Sequence, residues 1–187
     1  LEDKNVSPHE MVSFVNEQSD LRAIQRFGGD VDMLRTLIAN EFPVIIETGY
    51  NPEGNDWLGH YQTVAGYDDT QQVFFVYDSF IGVNTPDGII VETYNELDEN
   101  WQDFNHIFIV IYEPSREDLV MDLIGIRADP MDAAEHAFSV AQEEAQANPQ
   151  DPFNLFNMGV SLSELGRYDE AAIAFDRANQ LGFPYRM

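Results

Sequence analysis

The chain has 187 residues, 44% of them hydrophobic, with 9 basic against 34 acidic side chains and a net charge of −25. That length allows one domain with an appendage or two small domains, and the hydrophobic content sets the chain apart from disordered acidic sequences. The charge argues against a footprint for nucleic-acid phosphates and against docking on anionic lipid, and no apolar run reaches the roughly 18 residues that span a bilayer. No cysteine is present, so there is no disulfide and no redox compartment to read.

Ser7-Pro8-His9-Glu10 forms a capping box with proline at the first helical position, and Met11, Val12, Phe14 and Val15 supply an apolar helical face over residues 8–18. Residues 21–27 alternate as a short edge strand that Gly28-Gly29 ends. Asp30 caps a second helix with Val31, Leu34, Leu37 and Ile38 facing the core, and Pro43 opens a buried strand through Tyr50. Residues 51–58 form a polar loop. Its oxygen-rich side chains lack the spacing of a calcium loop, so it is expected beside a cleft, with Trp57 as cleft wall or buried anchor.

Residues 59–69 and 73–79 are both rich in β-branched and aromatic residues across a polar break, which predicts a β-hairpin. Pairing symmetric about Asp69 sets His60 directly across from Asp78, on one face. A carboxylate that fixes a histidine's tautomer lets the other ring nitrogen take a proton from a nucleophile. A loop over residues 80–88 follows, then a brief strand at Ile89-Ile90-Val91. Tyr94, Leu97 and Trp101 mark a short helix, and a strong, central strand is expected over residues 106–112.

Glu113-Pro114-Ser115 marks a boundary. Leu119, Val120, Leu123 and Ile124 then suggest a short connecting helix, and Asp129-Pro130 opens an alanine-rich helix through Ala147. A helical hairpin follows, carried by Leu155, Met158, Gly159, Leu162, Gly166, Tyr168, Ala171, Phe175 and Ala178. Small residues let the helices approach, while Leu162, Tyr168 and Phe175 are expected to fill the space between them. This spacing resembles the tetratricopeptide signature, and Ala134, Phe138 and Ala141 resemble the second helix of a preceding repeat. One and a half repeats are few for such a stack, so the array either continues past Met187 or packs on the first domain. His9, His106 and His136 are not at ligand spacing with another histidine, so no metal site is expected; His106 is read as structural, His9 and His136 as surface or boundary residues. A serine nucleophile elbow is also lacking.

Gly59-His60-Tyr61-x-x-Val64-x-Gly66-Tyr67-Asp68, followed by a strand ending at Asp78, resembles the papain-like peptidases that remove double-glycine leaders, and their peptidase-like relatives, cysteine peptidase family 39. Phe42-Pro43-Val44-Ile45 resembles the family's segment before the histidine strand, while Ser79 stands where proline is usual. The resemblance implies His60 as general base and Asp78 as its orienting residue. It also implies a cysteine nucleophile on an upstream helix, which this chain lacks. Because the chain begins at Leu1 and residues 1–43 resemble the family's segment downstream of the nucleophile, the expectation is a chain starting after that helix. The alternative is a non-catalytic descendant.

The reading is therefore α+β. Residues 1–113 are expected to form a papain-like cysteine-peptidase fold, an antiparallel sheet with helices, incomplete at its N-terminus. Residues 114–187 are expected to form a linker and an all-α tetratricopeptide-type region. The function implied is peptide-bond hydrolysis by His60 and Asp78 with a cysteine from a missing upstream segment, without cofactor or metal. Partners are a peptide or protein substrate and a protein bound through the helical repeats, with no nucleic acid and no membrane, and a homodimer through apolar surface that an absent helix would expose. Exported bacterial relatives suggest an extracytoplasmic place. Two alternatives stand beside this reading: a non-catalytic peptide-binding module, and an interaction scaffold in which His60 and Asp78 are structural.

Overall fold

A computed structural model of the chain describes residues 6–51, 56–79, 82, 85 and 87–184. The capping box forms at the head of α1 (Pro8–Gln18): Ser7 Oγ accepts from Glu10 N, and the Glu10 carboxylate accepts from Ser7 N at 2.8 Å. Asp30 caps α2 (Val31–Ala39), and Thr93 with Glu96 makes a second capping box for α3 (Tyr94–Gln102). One expectation fails in α1. Phe14, assigned to its apolar face, is 68% exposed, and no residue of this helix is fully buried.

The strands are β1 (Arg22–Arg26), β2 (Val44–Tyr50), β3 (Leu58–Asp68), β4 (Val73–Asp78), β5 (Ile89–Thr93) and β6 (Phe108–Tyr112). They form one antiparallel sheet in the order β1-β6-β2-β3-β4-β5. β6 lies between edge strand β1 and β2, second from the edge rather than central. Of the expected loops over residues 51–58 and 80–88, residues 52–55, 80, 81, 83, 84 and 86 lie outside the described residues, and Leu58 already belongs to β3.

Alternation along the strands gives the sheet two unlike faces. On one, Val44, Ile46, Val64, Phe74, Val76, Phe108 and Val110 are buried against Met33, Leu34 and Leu37 of α2, Leu97 and Trp101 of α3, and Val120 and Ile124 of α4 (Glu117–Ile124). β6 pairs with only the first half of β2, Val44 to Ile46, and α3 packs beside β2. The chain then turns through Asn105 and His106, both left-handed with φ of 53° and 50°. Among the hydrogen bonds that hold that turn, Gly28 N and Gly29 N donate to the carbonyls of Asn105 and His106, and Trp101 Nε1 donates to Ile107 O. His106, expected within the strand, precedes it, buried edge-on against Trp101 with Nε2 3.3 Å from Asp98 Oδ1.

Three helices complete the fold: α5 (Pro130–Ala147), α6 (Pro152–Glu164) and α7 (Tyr168–Gln180). Gly159 lets α6 meet α7, since a Cβ there would stand 2.5 Å from Phe175 Cε1. Leu162 and Phe175 pack in this seam with Ala171 and Ala174. Tyr168, expected to fill it as well, is 71% exposed. The opposite face of α6 carries Asn154, Asn157 and Ser161 at i, i+3 and i+7, all buried. Asn154 accepts from Gln102 Nε2, Asn157 donates to Gln102 O, and Ser161 accepts from Asn105 Nδ2. Arg127 donates to Gly28 O and to Asp30 and lies 3.1 Å from His136 Nε2, so His136 is a half-buried boundary residue. The helical region is thus bonded to the sheet region through polar groups whose burial without partners would be costly.

Candidate active site

The β3–β4 hairpin places the two candidate residues. Its turn spans residues 69–72: Asp68 Oδ1 accepts from the backbone of Thr70 and Gln71, and Arg35 and the Tyr94 hydroxyl hold Asp69 from outside. This turn pairs Asp68 with Val73, Tyr67 with Phe74 and Gly66 with Phe75. Continued unbroken, that register would set Thr63 opposite Asp78, with the carboxylate on the face away from His60. A bulge between Val64 and Gly66 absorbs one residue, so Val64 pairs with Val76 and Gln62 with Asp78.

His60 is therefore not directly across from Asp78, as symmetry about Asp69 predicts; it pairs with Thr48 on β2. The offset from the expected register is two residues, which keeps the side-chain face and makes the two residues diagonal neighbours. His60 Nε2 lies 2.7 Å from Asp78 Oδ2. The Asp78 side chain is fully buried and that of His60 is 11% exposed.

Three further residues, Gln62, Glu92 and Thr48, complete the network, and the sequence reading missed all three. Gln62, on the same face of β3 as His60, donates from Nε2 to Asp78 Oδ2 and to Glu92 Oε1, each at 2.9 Å. Its Oε1 accepts from Thr48 Oγ1 at 3.3 Å. The signal was available: residues two apart on a strand share a face. Burial pushes the Glu92 carboxyl up, the Gln62 hydrogen bond pulls it back, and the charge of Asp78 adds to the rise. Asp78 N donates to Gly88 O, which ties the end of β4 to the segment leading into β5.

On the reverse face, Glu47 pairs across β2 and β3 with Tyr61, and burial pushes its carboxyl up to about 7. Trp57 donates to Asp103 Oδ2 at 3.0 Å and stacks on Phe104, and burial pushes Asp103 up to about 6. Among the described residues, no group of three or more histidine, aspartate or glutamate side chains could hold a metal ion.

Residues 6–109 match the model of the Peptidase C39-like family, and the chain belongs to that family. No curated protein matches it. Among solved structures, a crystal structure described as that of a C39-like peptidase from Bacillus anthracis is similar at 16% identity, with a TM-score of 0.37. The match covers 48% of this chain and 50% of that one, so the chain spans about half the length of that protein.

Proposed function

We propose that residues 1–113 supply the imidazole and carboxylate of a papain-type peptidase site, with the thiol coming from a segment outside these 187 residues. The observation that carries the reading is the 2.7 Å contact between His60 Nε2 and a buried Asp78 that also accepts from Gln62. An ionised carboxylate can only accept, so Nε2 donates to Asp78 Oδ2 and proton transfer falls to Nδ1. In the reaction, Nδ1 takes the thiol proton and the thiolate attacks the peptide carbonyl carbon. The imidazolium returns the proton to the leaving amine, and water, deprotonated by the same nitrogen, hydrolyses the thioester. As given, the chain holds no cysteine and no such nucleophile.

Residues 114–187 serve, in this reading, as tetratricopeptide-type helices that recruit a protein partner. The close α6–α7 contact at Gly159 supports this. The lack of cysteine favours one second reading, a peptide-binding module that holds an extended chain without cutting it.

The test is to extend the protein through its upstream reading frame and assay it on a peptide library. The enzyme reading expects a cysteine upstream, hydrolysis that alkylation abolishes, and a loss of about 10³-fold or more in kcat/KM for His60→Ala with the fold intact. An upstream segment without cysteine, or hydrolysis indifferent to His60→Ala, overturns it. Peptide binding without cleavage supports the second reading.

A further inference from the structure

A cavity of about 280 Å³ lies between α1, the reverse face of the sheet and α6. Phe27, Phe104, Ile107, Phe156 and Val160 give it apolar walls, and Glu47 and Asn157 also line it. The alternation of β3 separates it from the His60–Asp78 pair: Glu47 is opposite Tyr61, whereas His60 is opposite Thr48 and points to the other face. The cavity is thus a different site, and binding there is independent of the peptidase reading.

We propose that this cavity binds a primary ammonium group carried on a small apolar or aromatic body. One of its acceptors lacks a donor. Asn157 is 1% exposed, its Nδ2 is committed to Gln102 O at 2.6 Å, and its Oδ1 has no hydrogen-bond partner among the described residues. A buried acceptor left without a donor is costly, and a ligand N–H relieves that cost.

The second acceptor is the Glu47 carboxyl. It sits over Gly59, where a Cβ would be 3.3 Å from Glu47 Oε1 and 2.5 Å from Phe104 Cζ, so the half-buried carboxyl lies beside an aromatic edge. The Tyr61 side chain hydrogen-bonds this carboxyl, His9 of α1 lines the same cavity, and among the described residues no lysine or arginine does. An ionised Glu47 here calls for a cation, and a chain of net charge −25 attracts one. Volume limits the body: ligand pockets for drug-sized molecules start near 300 Å³, so about one ring or a short alkyl chain fits. The ammonium could belong to a free amine or to the N-terminal apolar residue of a peptide.

Calorimetric titration at pH 8, above the value of about 7 to which Glu47 is pushed, tests this with four probes: phenethylamine, its neutral analogue phenethyl alcohol, and a Phe-Gly-Gly amide with a free or an acetylated N-terminus. Phenethylamine is expected to bind about tenfold or more tightly than the alcohol. Glu47→Gln should remove that preference, and Val160→Phe, which fills the cavity, should abolish binding of both, each variant being checked for folding by circular dichroism. Binding of the free peptide but not the acetylated one assigns the site to chain termini; binding of phenethylamine alone assigns it to free amines. Absence of amine binding, equal binding of amine and alcohol, a preference that survives Glu47→Gln, or binding that survives Val160→Phe overturns the proposal.

Discussion

Replacing Glu47 with glutamine should make the protein more stable at alkaline pH. Burial raises the folded-state carboxyl from 4.5 to about 7, whereas in the unfolded chain it titrates at its ordinary value. Below pH 4.5 both states hold the proton and Glu47 contributes nothing to pH dependence. Between 4.5 and 7 the unfolded state ionises while the folded state keeps its proton, so stability falls as pH rises; the loss is complete above 7. At about 1.4 kcal/mol per pH unit, the full loss is ~3 kcal/mol, most of which falls between pH 5 and pH 8. Total stability of a domain is about 5–15 kcal/mol, so the effect is well within reach of urea denaturation. Wild type and Glu47→Gln are compared at pH 5 and pH 8. Other half-buried acids, Asp103, Glu92 and Glu144 among them, are common to both proteins and cancel in the comparison. The variant should lose ~2–3 kcal/mol less than wild type across that interval. Parallel pH profiles for the two proteins would refute the assignment of Glu47 as an acid whose carboxyl partial burial raises to about 7.

Asp103→Asn has the same sign: with the carboxyl pushed up to about 6 by burial, the variant should unfold at higher urea than wild type at pH 8, by about 2 kcal/mol, and a lower midpoint contradicts the reading. Gly159→Ala places a Cβ 2.5 Å from Phe175 Cε1 and should cost about 1–3 kcal/mol by overpacking, read as a lower Tm; an unchanged Tm means that α6 and α7 are not in close contact. Gln62→Leu strips a donor from both Asp78 and Glu92 and should destabilise by about 2–3 kcal/mol, a cost absent if water replaces the amide.

Much of the fold was legible because it is written in local signals. Ser7 with Glu10, Asp30 and Asp129 announced helix starts through capping chemistry, and the 44–50 run announced β2 through its branched residues. The bulge at Val64/Gly66 was not legible, because a bulge is a relation between two strands, and only the turn that fixes Asp68 opposite Val73 makes it necessary. Phe14 and Tyr168 were misplaced for a related reason. Periodicity gives a helix an apolar face, but which part of that face meets a neighbour is set by the neighbour's position. His106 read as a strand residue from its apolar successors, whereas the backbone must reverse through left-handed angles there to enter β6. At the candidate site, His60 and Asp78 stood out by chemistry. Gln62 did not, because an amide carries no charge, although its strand parity put it beside them.

The claim on which the functional account turns is that Asp78 holds His60 by Nε2 and directs Nδ1 to proton transfer. A ¹⁵N–¹H correlation spectrum of the His60 ring tests it most directly at a pH where the ring is neutral. The account predicts a protonated Nε2 and an unprotonated Nδ1, with the Nε2 proton shifted downfield by the carboxylate and returning upfield in Asp78→Ala. A neutral ring carrying its proton on Nδ1, or a spectrum that Asp78→Ala leaves unchanged, would contradict it.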